Sequence, residues 1–437
     1  MPKGLRPGKA LPYHREILTR SSCVCKPFSQ SCELLINYYE RSRSAAEYLS
    51  GLFCTGAFKK LAVFSPTAFW IGQEGIRLEN QISPIVQSAK VDGLTAKKLG
   101  IGILGVGDMG QRHAENIRML GGEARLVAIA DPATERARNV ARELEVEHCF
   151  SSLDEMLALK AVDCVIVAAP DKFHAAAIRS AAAAGKDILC EKPIALNLAD
   201  AIAALRAVEK AGVRLQIGFM RRYDAGYSAA RKRVEAGEIG EPVIFKSLGR
   251  DRDAPPIASY QAKLNGMLLY NNTIHDFDLA RWLMDDEVAE VQTYTTVAIR
   301  PEVAQHGDIV ASVVNLKYRR GAIGNIESFV QAAYGYDIRT EIVGSKGSIL
   351  VGTLQQTPVM FLAKGGGNQV LEDHFLTRFE GAYVAELRDF VHNIRHDRPL
   401  RVTGEDGLRA LEIAVAAETS HLQSKPCAVM RGACSAA

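Results

Sequence analysis

The stretch KLGIGILGVGDMGQRHAENIRML (residues 98–120) sets an unbroken apolar run, three spaced glycines and a helical pattern in immediate succession. An apolar run without polar alternation marks a strand buried on both faces. The turn that follows it, GVGDMG, puts Gly105, Gly107 and Gly110 in G-x-G-x-x-G spacing around Asp108 and Met109. In that context the first glycine allows a tight turn and the second lets backbone N–H groups approach a pyrophosphate. The third lets helix and strand pack closely, and the helix N-terminus attracts the anion. A second apolar run, ARLVAIADP, ends in Asp131, 21 residues beyond Gly110. A carboxylate there accepts hydrogen bonds from both ribose hydroxyls of NAD and repels a 2′-phosphate, so NAD rather than NADP is the expected cofactor. No arginine directly follows Asp131; Arg136 and Arg138 stand further on, in the next helical pattern. The alternative use of such an acid is to cap that helix.

The same alternation continues outward. VDCVIVAAP (162–170), DILCEKP (187–193) and VRLQIGFM (213–220) repeat the buried-strand pattern, separated by the helical stretches KFHAAAIRSAAAAGK and LADAIAALRAVEKAG. Strands without polar alternation, separated by helices, predict a parallel sheet covered on both faces, an α/β Rossmann domain over residues 98–219. Beyond about residue 220 the strands are separated by turns. PVIFKSLGRD, VAEVQTYTTVAI, DIVASVVNLKY, GAIGNIESFV and RTEIVGSKGSILVG are of this kind, and several alternate apolar with polar residues. Helices are predicted at 224–237, 274–284, 381–395 and 405–419, the last behind a Thr403–Asp406 capping box. This predicts a C-terminal α+β domain at 220–424 with a large open, mostly antiparallel sheet, then a tail at 425–437. Residues 1–97 show no sustained period and read as a loosely ordered extension with only a weak likeness to a targeting peptide.

Composition narrows the function classes. The chain has 437 residues, 48% of them apolar and 24% charged, the profile of an ordinary globular protein. No apolar run reaches the length of a membrane span, so no membrane partner is expected. Residues 1–60 hold ten Lys/Arg against four acids, a net of +6, and the rest of the chain therefore carries −3. That argues against a nucleic-acid face on the body of the protein. Of the nine cysteines, Cys164 and Cys190 sit in apolar runs, and the Cys23/Cys25/Cys32 cluster lacks zinc spacing, so no metal site is expected. A reducing cytoplasm is the expected location.

CEKPIALN (190–197) brings Lys192 to the carboxyl edge of the parallel sheet, where ligands bind in open α/β folds. Held between a buried strand and Pro193, this lysine has few rotamers and faces the crevice; the bond to Pro193 is a candidate cis peptide. With GVGDMGQRHAENI, GFMRRYDAGY, TIHDFDLARWL and YGYDIRTEIVGSKG, the motif EKPIALNL makes the chain resemble the glucose–fructose oxidoreductase/inositol dehydrogenase family. Within it the inositol 2-dehydrogenases are most similar, from about Lys98 to about Gln423.

The resemblance implies a Rossmann domain and an α/β domain whose open sheet builds homodimers or homotetramers. It also implies hydride transfer from a ring secondary alcohol of a small cyclitol or sugar to nicotinamide. Carried over by position, Lys192 hydrogen-bonds the reacting hydroxyl and helps place the nicotinamide, and His275 is the general acid/base. Glu191 borders the cofactor, His174 serves either as a cofactor contact or as a structural cap, and Arg222, Tyr223, Asp253 and Tyr336 border the substrate. A neutral imidazole suits removal of a hydroxyl proton at neutral pH, and a lysine charge beside the oxygen stabilises the developing negative charge. His113, on the first helix, reads as a packing or surface residue and not a catalytic one.

The departure is at position 271, where the family pattern has Asp and this chain has Asn271. The asparagine oxygen is expected to accept a hydrogen bond from the imidazole without supplying charge, which lowers the His275 pKa. Asp276 and Asp278 lie about 100° and about 60° off the Asn271–His275 line on a helix and do not replace it. The expected function is NAD-dependent oxidation of myo- or scyllo-inositol. An aldose or anhydrosugar dehydrogenase, and an NAD-binding protein impaired at Asn271, are the rivals.

Overall fold

The computed structural model describes residues 98–432 except 264–266, 353–354 and 365, together with two short strands, Phe69–Gly72 and Gly75–Leu78. The chain divides into two units, Met1–Leu94 and Thr95–Ala437. In the first, the two strands pair antiparallel with Phe69 opposite Leu78. The reading of residues 1–97 as loosely ordered otherwise lies outside the described residues, as do Cys23, Cys25, Cys32, Cys54 and Cys434.

The second unit opens with β1 (Leu99–Leu104), α1 (Asp108–Met119), β2 (Ala124–Ala130), α2 (Thr134–Glu143), β3 (His148–Phe150) and α3 (Leu153–Leu157). After β4 (Cys164–Val167), α4 (His174–Ala183), β5 (Asp187–Cys190), α5 (Leu198–Ala211) and β6 (Leu215–Ile217) the parallel sheet is complete. Its order is β3-β2-β1-β4-β5-β6, and every pairing is parallel. The strand order reverses between β1 and β4, which makes a crevice at their carboxyl ends. Burial explains the apolar runs: Ile101, Ile103, Val165, Ile166, Ile188 and Leu189 are fully enclosed. The three-residue strand β3, HCF, is too short to show a period and was not foreseen.

The chain then crosses through α6 (Ala225–Glu235), β7 (Pro242–Arg250), α7 (Ile257–Ala262), α8 (Leu268–Asn271) and α9 (Ile274–Met284). Strands β8 (Val288–Thr296), β9 (Ala311–Tyr318), β10 (Ile323–Phe329), β11 (Asp337–Gly344) and β12 (Ser348–Val351) follow. A hairpin of β13 (Gln355–Ala363) and β14 (Gly366–Leu371), unforeseen from sequence, precedes α10 (Phe375–Arg378), α11 (Glu380–Arg395), α12 (Gly404–Gln423) and β15 (Cys427–Ala428). The second sheet runs β12-β11-β7-β10-β9-β8-β15, antiparallel except for the parallel pair β7–β10. The expected Thr403–Asp406 capping box starts α12.

Two late helices return to the first sheet. Leu387, Phe390 and Val391 of α11 pack in one core with Ile101, Ile103 and Ala114. Helix α12 lies so near β6 that a Cβ on Gly407 would come within 2.8 Å of the Ile217 side chain. The helix predicted near 381–395 is therefore present but covers the nucleotide-binding sheet. Sequence order does not reveal this, because an apolar helix face carries no label for its partner.

Candidate active site

The crevice begins at the glycine turn. Gly105 has φ +88, and a Cβ on it would lie 2.6 Å from the Ala168 carbonyl oxygen. A Cβ on Gly110 would sit 1.9 Å from the Gly105 oxygen, so helix and strand meet here at backbone distance. Gly107 differs: a Cβ there would meet nothing within 4 Å, which leaves open space at the head of α1 beside its first N–H groups. Asp108 is exposed and Met109 half-buried at that head. The arrangement fits a dinucleotide pyrophosphate.

Asp131, at the end of β2, is buried. Its Oδ2 accepts from Val106 N–H at 2.9 Å and from Arg136 Nη2 at 2.9 Å. Oδ1 accepts from Ala133 N–H at 2.8 Å and from Arg136 Nη2 at 3.0 Å. The acid thus ties the glycine turn to the segment that leads into α2, whose N-cap is Ala133 and not Asp131.

Two residues expected to contact the cofactor have their side chains engaged by protein. His174 Nδ1 lies 2.7 Å from the Pro193 carbonyl oxygen and Nε2 lies 2.7 Å from that of Ala169. The ring therefore clamps the ends of β4 and β5 together. Glu191 bonds His113 Nε2 at 2.8 Å, and both are buried. The His113 hydrogen bond holds the Glu191 carboxyl below its ordinary pKa, against a desolvation that pushes it up. His113 is thus more than packing: it anchors the residue next to Lys192.

The peptide bond between Lys192 and Pro193 is cis. Lys192 Nζ donates to the backbone oxygen of Asn271 at 2.8 Å and faces its Oδ1 at 3.4 Å. The expected hydrogen bond from the imidazole to the Asn271 oxygen is not formed; His275 Nδ1 is buried without a partner. The backbone explains the difference. Helix α8 ends at Asn271, Asn272 has φ −99 and ψ −60, and α9 starts afresh at Ile274. Positions 271 and 275 therefore do not share one helix line, and the side chain of Asn271 turns to the lysine instead. Thr273 precedes α9 but does not cap it, its hydroxyl bonding Ser328 Oγ at 2.8 Å.

His275 is held far below its ordinary pKa, first by burial and then by the charges of Arg221 and Lys192. The lowered direction matches expectation, but desolvation leads the causes. Arg221 is fully enclosed and pairs with Asp276 at 2.8 Å, and Asp276 also accepts from Ser247 Oγ at 2.6 Å. Tyr336 is buried beside Arg221, and desolvation raises its phenol pKa. Asp251, bonded by Asn272 Nδ2 at 2.6 Å, completes the group; burial raises its carboxyl pKa.

Of the expected substrate residues, Tyr336 joins this group and three do not. Arg222 turns the other way, to Asp278 at 2.5 Å and Asp406 at 2.9 Å. The Tyr223 hydroxyl donates to Asp389 at 3.2 Å. Asp253 is exposed and paired with Arg252 at 2.8 Å. The reason is local: the single turn Met220–Tyr223 sends adjacent side chains to opposite sides. Arg221 and Asp251, each within two positions of a named residue, lie beside Tyr336 instead. No sequence period distinguishes members of such pairs in irregular segments.

The crevice thus carries the glycine turn, Asp131 and a Lys192–His275 edge. The family model described as an oxidoreductase family with an NAD-binding Rossmann fold matches residues 99–219. Its companion, the C-terminal alpha/beta domain of the same family, matches residues 231–429. The chain belongs to the Gfo/Idh/MocA oxidoreductase family. Its cofactor is NAD. It is 38% identical over 325 residues to the scyllo-inositol 2-dehydrogenase (NAD(+)) of Bacillus subtilis, covering 74% of this chain and 94% of that one. Against the myo-inositol 2-dehydrogenase of Thermotoga maritima the identity is 37% over 322 residues, 73% of this chain and 95% of the relative. A crystal structure of scyllo-inositol dehydrogenase from Lactobacillus casei with bound NAD(H) and scyllo-inositol superposes with TM-score 0.73 at 28% identity. That match covers 76% of this chain and 99% of the other. Among the described residues, no group of His, Cys, Asp and Glu could hold a metal ion, and no helix is long and apolar enough to cross a membrane.

Proposed function

We propose that this Gfo/Idh/MocA protein oxidises a ring secondary alcohol of a cyclitol, myo- or scyllo-inositol, to the inosose. The observation that carries the reading is a buried His275 kept neutral between Lys192 and Arg221 at the carboxyl edge of the nucleotide-binding sheet. Hydride loss from a carbinol carbon requires the hydroxyl proton to leave as well, and a neutral imidazole in reach accepts it. Lys192, steadied by the Asn271 oxygens, donates to the same hydroxyl oxygen and stabilises its developing negative charge. Arg221, Asp251 and Tyr336 supply donors and acceptors for the remaining ring hydroxyls. NAD, when bound, accepts the hydride. The names of the relatives support the cyclitol ring, and the retained Lys192 and His275 support activity over a binding-only role.

A homodimer or homotetramer forms through the outer face of the seven-stranded sheet, where Tyr294 lies beside Val313 and Ile323 is also exposed. The setting is the reducing cytoplasm, in keeping with Cys149, Cys164, Cys190 and Cys427 as free thiols.

The test is purified protein assayed for NADH formation against a panel of inositol isomers, aldoses and anhydrosugars. Turnover with an inositol and none with the sugars is the expected result. Turnover with sugars alone moves the assignment to a sugar dehydrogenase, and none with any substrate supports the binding-only reading. Light scattering on the same sample gives the oligomeric state.

A further inference from the structure

The geometry points to Arg136 as a residue that sets how sharply this chain separates NAD from NADP, by competing with the ribose for Asp131. A carboxylate offers about four acceptor directions, two on each oxygen. On Asp131 all four are taken: Val106 N–H and Arg136 on Oδ2, Ala133 N–H and Arg136 on Oδ1. The two backbone donors belong to the glycine turn and the head of α2, and they stay. The guanidinium is the movable partner, its side chain 52% exposed against 3% for the carboxylate.

A ribose diol needs two acceptor directions, one on each oxygen. Those are the two that Arg136 fills, so NAD reaches Asp131 only when the guanidinium swings away. The requirement reverses for NADP. Its 2′-phosphate asks for a cation rather than an acceptor, and a nearby arginine is the usual solution. Left on Asp131, Arg136 also covers the carboxylate charge that would otherwise repel that phosphate. One side chain therefore weakens NAD binding and relieves the exclusion of NADP. Its neighbour Arg138 makes no hydrogen bond or ion pair with Asp131 and serves as the control.

Calorimetric titration of the full chain with NADH and with NADPH separates these effects without relying on turnover. Arg136→Ala is expected to tighten NADH about threefold, the scale of a half-exposed ion pair. It is expected to weaken NADPH about tenfold, the scale of a lost charge-assisted contact. The preference then moves about 30-fold towards NADH, the product of those two factors. Arg136→Gln is expected to follow in the same direction, and Arg138→Ala to leave the NADH-to-NADPH ratio in place. A ratio in Arg136→Ala within about threefold of the parent, the scale of an exposed pair alone, overturns the assignment. An equal shift in Arg138→Ala also overturns it, because general loss of positive charge then suffices.

Discussion

Substituting Asn271→Asp puts a carboxylate where the amide oxygen now sits, 3.4 Å from Lys192 Nζ. At an effective dielectric of about 20, a unit charge pair at that distance interacts by about 5 kcal/mol before desolvation is subtracted. The lysine charge is one of three causes that depress His275, after burial and Arg221. Pairing it with a carboxylate removes that cause, and the new charge also favours imidazolium directly. Burial and Arg221 remain, so the shift falls at the low end of the usual range, about one pH unit upward. The base must be neutral to work. The acid limb of kcat therefore moves about one unit to higher pH, and at a given pH on that limb the rate drops about tenfold. On the alkaline plateau the more basic imidazole leaves the rate equal or higher. Initial rates of NADH formation at saturating cyclitol and NAD, taken across the acid limb, measure this, and NADH affinity is expected to stay unchanged. An acid limb that stays in place would refute the electrostatic account of His275.

Lys192→Ala is expected to lower turnover at least about 100-fold while the fold persists, as for loss of one positioned charged donor; a near-parental kcat contradicts the mechanism. Gly107→Ala and Gly110→Ala separate binding from folding. The first meets nothing within 4 Å and should keep its Tm while raising the NADH Kd; the second collides at 1.9 Å with the Gly105 oxygen and should lose several degrees of Tm. Glu386 is buried with both carboxyl oxygens unpartnered, and burial pushes its pKa well above the ordinary value of 4.5. Its protonated form belongs to the fold, so the associated stability is full below about pH 4.5 and is lost as pH rises towards the folded pKa. Glu386→Gln should therefore stabilise the protein more at neutral pH than at pH 4.5, read as paired Tm or denaturant midpoints.

Local chemistry was legible wherever a short segment defines its own environment. The turn at 105–110 carries its meaning because spacing, a preceding buried strand and a following helix all lie within about twenty residues of chain. Lys192 at a strand end and the capping box at Thr403 are readable for the same reason. Asn271 shows the limit. Its distance from His275 in sequence is four, but the two-residue break at Asn272 and Thr273 between α8 and α9 turns the amide towards Lys192. Arg221 and Arg222 show it again, because one turn of backbone decides which of two identical side chains is buried against Asp276 and which against Asp278.

The sequence by itself determined the nucleotide-binding sheet and the glycine turn at its first strand, since periodicity and glycine spacing are properties of neighbouring residues. Only the tertiary structure decided that α11 and α12 return to cover that sheet, that His113 anchors Glu191, and that Arg136 occupies Asp131. Those contacts join residues whose mutual distance depends on how whole elements pack. Burial and charge at a site follow from that packing, so the causes that depress the His275 pKa, burial first and then Arg221 and Lys192, became visible only in the folded chain.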